Sequence, residues 1–376
     1  MENRQRLVWV DIIRGIGIIF IILTHMPINR NLIAYNCSFQ LGIFFFFSGY
    51  LFHMPKKDVS PKIIPAQQKS VSGGQKYSDF KTFLISRAKG LLLPYLFLSL
   101  ISMLFYLIYY HVPYYSYNTF KDMLSVLLFG ARNTIFYNIP LWFLPTLFLV
   151  ECFYYFLRKY CHKDIIILCV SLLLSCFSFI SLNALYQTKV FWTWPVALYY
   201  LIYFAIGNLA RKHRHNNIRI SIFNINGILF ILCLLLNISM YYFPDIYFSA
   251  LSPQTVSFHS IKLYCTALLI MLAGTYVYIC ISRILADKFT HIYFLEYLGQ
   301  NSLVFFGLHI PVMWCLRSLF QYFNISITSS FNLIGLVYTF LTILILWPIS
   351  YWINKYCPWI TGKFSNNKSN NTKVLA

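Results

Sequence analysis

Ten apolar stretches of about 20 residues dominate this sequence, and they limit the folds open to it more than any other feature. A helix needs about that length to cross the hydrocarbon core of a bilayer, where backbone polar groups must bond within the segment. The pattern predicts an all-α polytopic bundle of about ten transmembrane helices and argues against most soluble enzymes. The stretches are 7–28, 35–54, 90–111, 140–157, 164–183, 192–210, 221–243, 261–282, 298–320 and 331–353.

The distribution of basic residues supports this topology. The chain has 30 Lys and Arg against 10 Asp and Glu. With a cytoplasmic N-terminus, 23 of the 30 cations fall in the inside segments, six fall outside, and Arg14 lies within the first stretch. This asymmetry follows the positive-inside rule, so both termini are predicted to be cytoplasmic. Because the cations are spread over six segments, no nucleic-acid partner is expected.

The polar segments suggest one membrane domain over residues 1–355. Residues 55–89 form a basic cytoplasmic loop whose prolines and paired glycines predict flexibility, and the tail at 356–376 is predicted to be disordered. The ten cysteines lie mostly in apolar runs, and no two are separated by just two residues. They are interpreted as apolar fillers, and no metal site is expected.

The first apolar stretch contains three ionisable residues, each costing roughly 2.5 to 3.5 kcal/mol within a membrane on insertion scales. Asp11 and Arg14 are three residues apart and are able to pair on one helix face. His25 follows eleven residues after Arg14, which places it on the same face about 16 Å further along the axis. Taken singly, the three also fit a snorkelling ion pair and an interfacial histidine. Their shared face favours a site.

Later stretches carry further polar candidates. Ser48 precedes a glycine, and such a small pair serves helix packing or the close approach of a ligand about equally well. Glu151 lies some ten residues into an apolar helix, where it either pairs with a cation such as Lys159 or belongs to a site. His309 is interpreted as a secondary candidate, because a single histidine on an apolar helix is usually a hydrogen-bonded structural residue.

Five short motifs in sequence order resemble those of the integral-membrane acyltransferase family three, and within it the fucose O-acetylase-like proteins. The resemblance covers roughly residues 5–355. The motifs are Asp11-x-x-Arg14 with His25, the aromatic run ending in Ser48-Gly49-Tyr50, Arg87 leading to Leu93-Pro94-Tyr95, Leu141-Trp142-Phe143-Leu144, and Asn301-Ser302 leading to His309-Ile310-Pro311.

This resemblance implies a multi-pass enzyme of the bacterial cytoplasmic membrane. Such an enzyme takes an acyl group, usually acetyl, from acyl-CoA as donor substrate and delivers it to a sugar hydroxyl of a surface polysaccharide or its lipid-linked precursor. It implies no permanently bound cofactor. Within the resemblance, Arg14 and His25 match residues essential to the family pattern, and Asp11 matches the preceding acidic residue.

Three further residues enter as candidates through the same motifs. Arg87 and Lys89 approach the third stretch, where two cations could bind the donor's phosphates, although the positive-inside rule already accounts for them. The family often has a second Arg where this chain has Lys89, and lysine lacks the forked geometry of a guanidinium. Trp142 is a secondary candidate.

The predicted mechanism is an acyl transfer with His25 as general base on the acceptor hydroxyl and with Arg14 and Asp11 at the donor end. A long coenzyme arm or a covalent acyl intermediate would bridge the 16 Å between them. The alternative function is a polysaccharide flippase or polymerase-type transporter. Such proteins tend to have repeated halves or paired discontinuous helices, and neither is evident in the sequence.

Overall fold

A computed structural model describes residues 7–54, 79–109, 117–130, 135–181, 190–212, 225–251, 258–323 and 332–363. Most of the predicted basic loop and the tail from residue 364 lie outside these ranges. The described chain is built from helices and contains no strands. The helices are α1 (Val8–Thr24), α2 (Arg30–Cys37), α3 (Gln40–Leu51), α4 (Phe80–Arg87), α5 (Leu93–Tyr109), α6 (Tyr117–Phe129), α7 (Phe143–Tyr160), α8 (Asp164–Ser181), α9 (Trp194–Lys212), α10 (Ile225–Tyr242), α11 (Pro244–Leu251), α12 (Phe258–Lys288), α13 (Tyr293–Gln300), α14 (Ser302–Tyr322) and α15 (Asn332–Tyr356).

The structure confirms an all-α polytopic membrane protein. Eight helical segments of the described chain are long and apolar enough to span a membrane. Two further apolar segments, α1 and Asn226–Tyr242 of α10, are shorter and occupy the first and seventh predicted stretches. Each of the ten stretches therefore contains a helix. The eight long segments are Arg30–Leu51, Phe80–Tyr109, Ile139–Tyr160, Asp164–Ser181, Phe191–Lys212, Phe258–Lys288, Ser302–Tyr322 and Asn332–Tyr356.

Three of these segments depart from the predicted spans. The segment Arg30–Leu51, which corresponds to the second predicted stretch, is divided into α2 and α3 at residues 38–39. The Asn29 side chain caps α2 by accepting a hydrogen bond from the Leu32 amide at 2.8 Å. The segment Phe80–Tyr109, which corresponds to the third predicted stretch, begins ten residues early with α4 and passes through a π-helical turn, Ala88–Leu92, into α5. Pro94 explains that turn, since its ring would clash with the carbonyl four residues earlier in a regular helix.

The third departure lies at the start of the ninth predicted span. Leu298 to Gln300 were expected to open this helix, but they end α13, and α14 begins at Ser302. Asn301 forms the junction. Its side-chain nitrogen Nδ2 donates to the Tyr297 carbonyl at 2.9 Å, and its side-chain oxygen Oδ1 accepts from the Asn354 side chain at 2.9 Å. A local side-chain bond of this kind competes with helix continuation. The break places the N-terminus of α14 beside α1.

Helix α1 lies at the centre of the bundle. It packs against α3, α12, α13 and α14, and Ile12, Ile13, Ile18 and Ile22 along its length are fully buried. The α1–α13 contact is close because each helix has a glycine there. A Cβ on Gly299 would overlap the Asp11 carbonyl. Because α1 is surrounded by protein, its polar side chains face other helices.

Candidate active site

A cavity of about 280 Å³ lies within the bundle beside α1. Its walls are mainly apolar, and its polar side chains come from five different helices. Cavities of this kind, apolar with a few convergent polar groups, are typical of small-molecule sites. The lining residues are Arg14 and Ile21 of α1; Phe44, Phe47, Ser48 and Leu51 of α3; Arg87, Gly90 and Leu91; Phe143, Leu144, Leu147 and Glu151 of α7; and Ser302, Leu303 and Phe306 of α14.

Arg14 lines the cavity and contacts the N-terminus of α14. Its guanidinium donates to the Ser302 hydroxyl at 2.9 Å. One turn earlier, the Asp11 carboxylate accepts a hydrogen bond from Gln300 at 3.4 Å. Asp11 is buried but does not line the cavity, and its predicted pairing with Arg14 stays a prediction. Ser302 had been noted only as part of a motif, and no sequence signal identified it as the partner of Arg14.

The buried Glu151 pairs with a cation, as one of the two alternatives predicted, but the cation is Arg87 and not Lys159. The Arg87 Nε lies 3.3 Å from Glu151 Oε2, whereas Lys159 is exposed beside the ring of Tyr160. The guanidinium also lies over two rings, Phe52 at 5.3 Å and Phe83 at 5.6 Å. The side chain of Arg87 is 31% exposed against 6% for Glu151. Glu151 is therefore the buried member of the pair, and Arg87 lies at the accessible end of the cavity.

The small pair at Ser48 and Gly49 serves two purposes. Gly49 packs against α9, where a Cβ would overlap the Phe204 carbonyl. The Asn208 amide of α9 donates to the Gly49 and Phe52 carbonyls at 3.0 and 3.1 Å, which satisfies two C-terminal carbonyls of α3. This packing turns the adjacent Ser48 towards the cavity.

Two histidines face each other one helical turn beyond the cavity. The ring centroids of His25 and His309 are 5.1 Å apart with an interplanar angle of 58°. Ile21 and Phe306 line the cavity; His25 follows Ile21 by four residues at the C-cap of α1, and His309 follows Phe306 by three residues on α14. His309 was predicted only as a secondary candidate, because 284 positions separate it from His25 in the chain and no local pattern connects them.

Backbone hydrogen bonds fix the tautomer of both neutral rings. His25 Nδ1 contacts the Ile21 carbonyl at 2.8 Å, and His309 Nδ1 contacts the Phe306 carbonyl at 2.7 Å. A carbonyl oxygen only accepts, so each Nδ1 carries the hydrogen and each Nε2 has a free lone pair. His25 is partly exposed, but His309 is fully buried and its Nε2 has no hydrogen-bond partner among the described residues. A buried acceptor without a partner costs about 1 to 3 kcal/mol.

The distance between the arginine and the histidines is shorter than the separation of 16 Å along α1. Arg14 of α1 contacts Ser302, and His25 at the C-cap of α1 faces His309, so both side chains point to α14. Ser302 and His309 are seven residues apart, which is about 10 Å along a helix. The separation of about 10 Å is less than the 16 Å between the two positions on α1 because the long side chain of Arg14 reaches Ser302. The cavity, which reaches from Arg14 to Ile21, fills most of this interval.

The structure does not bring every candidate to the cavity. Lys89 is exposed and does not line it, and Trp142 is buried beside it while its neighbours Phe143 and Leu144 form the wall. Among the described residues no group of three His, Cys, Asp or Glu side chains could hold a metal ion.

Arg87→Met should destabilise the protein more than the double variant Arg87→Met, Glu151→Gln does. The single change leaves a buried carboxylate without its cation, which we expect to cost about 1 to 3 kcal/mol, at the low end for broken buried pairs because Arg87 is partly exposed. The double variant removes both charges. Melting midpoints in detergent should rank the double variant near wild type, with Lys89→Met as the control. Equal midpoints for the single and double variants would contradict the pairing.

Neither a search of curated proteins nor a search of solved structures gives a match to this chain. A family model described as an acyltransferase domain matches residues 7–351, which is nearly all of the described structure. The match covers the cavity, the arginine of α1 and both histidines. The chain therefore belongs to the integral-membrane acyltransferase family three, and it is a membrane acyltransferase.

Proposed function

We propose that this acyltransferase moves an acyl group, with acetyl as the first candidate, from cytoplasmic acyl-CoA to a sugar hydroxyl of a bacterial surface polysaccharide or its lipid-linked precursor. The observation that carries the proposal is the cavity itself. At one end it is lined by Arg14 and by the Arg87–Glu151 pair, and at the other end it stops one helical turn from the His25–His309 pair.

The donor enters from the Arg87 end. Leu51 and Gly90, which line the cavity there, are exposed, so this end is open to the outside of the bundle. The predicted orientation makes it the cytoplasmic end. Guanidinium groups suit the phosphates of a coenzyme. A volume of about 280 Å³ suits the acyl thioester and part of its arm, while the nucleotide stays at the entrance.

The acceptor hydroxyl reacts at the histidine end. His25 Nε2 takes the hydroxyl proton while the oxygen attacks the thioester carbonyl carbon. A carbon–oxygen bond forms, the carbon–sulfur bond breaks, and the proton passes from His25 to the departing thiolate. This sequence yields the ester and free coenzyme. Because the cavity spans most of the interval between Arg14 and the histidines, we propose direct transfer from the thioester to the acceptor, without a covalent enzyme intermediate.

Labelled transfer with the purified protein tests the proposal. Wild-type protein in liposomes, given radiolabelled acetyl-CoA and isolated surface glycan, should place the label in an ester that mild alkali releases. Mass spectrometry of glycan from a strain lacking the gene should show loss of acyl groups with normal chain length. Loss of the chains themselves, with no labelled ester in vitro, would favour the flippase or polymerase function.

A further inference from the structure

One ring nitrogen of His309 is hydrogen-bonded, and the other has no hydrogen-bond partner among the described residues. Its ring is fully buried, its Nδ1 is bonded to the Phe306 carbonyl at 2.7 Å, and Nε2 has no partner among the described residues. Nearly all buried polar groups in proteins are hydrogen-bonded, so each exception needs an explanation. The missing partner has to be a donor, because the fixed tautomer leaves Nε2 with a lone pair.

The ring of His25 is the nearest source of such a donor. Its centroid lies 5.1 Å from that of His309, and its own Nδ1 is bonded to the Ile21 carbonyl. In the neutral state both Nε2 atoms are acceptors, so they cannot bond to each other. Once His25 gains a proton, its Nε2 becomes a donor. The two rings are therefore complementary only while one of them carries the extra proton.

We infer that His309 is a positioning residue that accepts a hydrogen bond from the His25 imidazolium during acyl transfer. The inference rests on the proposed role of His25 as general base. The hydroxyl proton moves to His25 Nε2, is shared with His309 Nε2 while the thioester bond breaks, and then passes to the coenzyme thiolate. His309 neither gains nor loses a proton over the cycle.

This arrangement favours the charged intermediate over the resting enzyme. An interaction that exists only after proton transfer lowers the barrier without tightening substrate binding. Desolvation strengthens it, because His309 lies where water does not screen the bond. A wholly structural His309 would need only the Nδ1 bond to its own helix. If His309 were the base, one of its nitrogens would gain a proton. If it were the nucleophile, one of its nitrogens would gain a bond to the acyl carbon.

Two substitutions separate these roles. Gln places a neutral oxygen acceptor near the position of His Nε2 but is neither a base nor a nucleophile, whereas Leu has no acceptor. We expect His309→Leu to lower kcat about 10- to 100-fold with the KM for acetyl-CoA changed less than about twofold, and His309→Gln to stay within about fivefold of wild type. Val304→Ala, at a buried position of the same helix away from the cavity lining, is the control for packing.

The assay uses full-length protein in liposomes, with rates normalised to the monodisperse fraction and melting midpoints measured alongside. If His309→Leu does not yield folded protein, His309→Met takes its place. The inference is overturned if Gln is as slow as Leu, if both are as fast as wild type, or if the rate follows the melting midpoint as in Val304→Ala. His25→Ala is assayed in the same series. Activity there would overturn the proposed function, whereas an inactive His25→Ala beside a fully active His309→Leu would overturn this inference alone.

Discussion

His25→Ala should lower kcat for acyl transfer by about 10²- to 10⁴-fold, which is the usual contribution of a positioned general base. Its Nδ1 is held by the Ile21 carbonyl at 2.8 Å, so Nε2 is the nitrogen available for the proposed role as base. Alanine removes that nitrogen and leaves the donor end of the cavity unchanged. The KM for acetyl-CoA should therefore remain within about twofold of the wild-type value. The measurement is steady-state transfer of labelled acetyl to glycan in liposomes.

His162→Ala is the matched control, because it makes the same chemical change at an exposed position in the α7–α8 connection. It should have wild-type activity. An active His25→Ala would mean that the acceptor is activated elsewhere. An inactive variant with a greatly raised KM would instead assign His25 to donor binding.

The membrane helices could be predicted from the sequence because the requirement is local. Crossing a bilayer takes about 20 apolar residues, and that length is read directly from a window. The same reasoning found Glu151, whose cost in an apolar helix depends only on its own surroundings. The helix break at Asn301 could not be found in this way. The Asn301 side chain bonds locally to the Tyr297 carbonyl, but it is also held by Asn354, which lies 53 positions away in the chain.

The pairs that form the site depend on tertiary packing. Arg14 and His25 were placed together because they lie on one helix, where spacing determines the face. Their partners, Ser302 and His309, are on α14, and no periodicity in a single segment connects the two helices. The sequence suggests Lys159 of the same helix as the cation for Glu151, but in the structure Arg87 of α4 forms the ion pair. Single candidate residues can therefore be predicted from the sequence, whereas the contacts between them cannot.

Arg14→Ala should raise the KM for acetyl-CoA about 10- to 100-fold and change kcat less than about tenfold. The guanidinium contacts Ser302, about 10 Å along α14 from the histidine level, which is too far to touch a carbonyl attacked beside His25. We therefore expect it to act on the part of the donor that precedes the thioester. Loss of one charged hydrogen-bonding group of this kind typically costs about 1.5 to 3 kcal/mol of binding.

Two companion variants distinguish binding from chemistry at Arg14. Arg14→Lys keeps the charge but loses the forked geometry, so its KM should fall between those of wild type and Arg14→Ala. Ser302→Ala removes only the hydroxyl that accepts from Arg14, so its KM should rise by less than about tenfold. The opposite result, a kcat reduced 10²- to 10³-fold with an unchanged KM, is typical of a group that stabilises the oxyanion. It would require the thioester to react at the Arg14 end, with the acyl group then carried to the histidines on the enzyme.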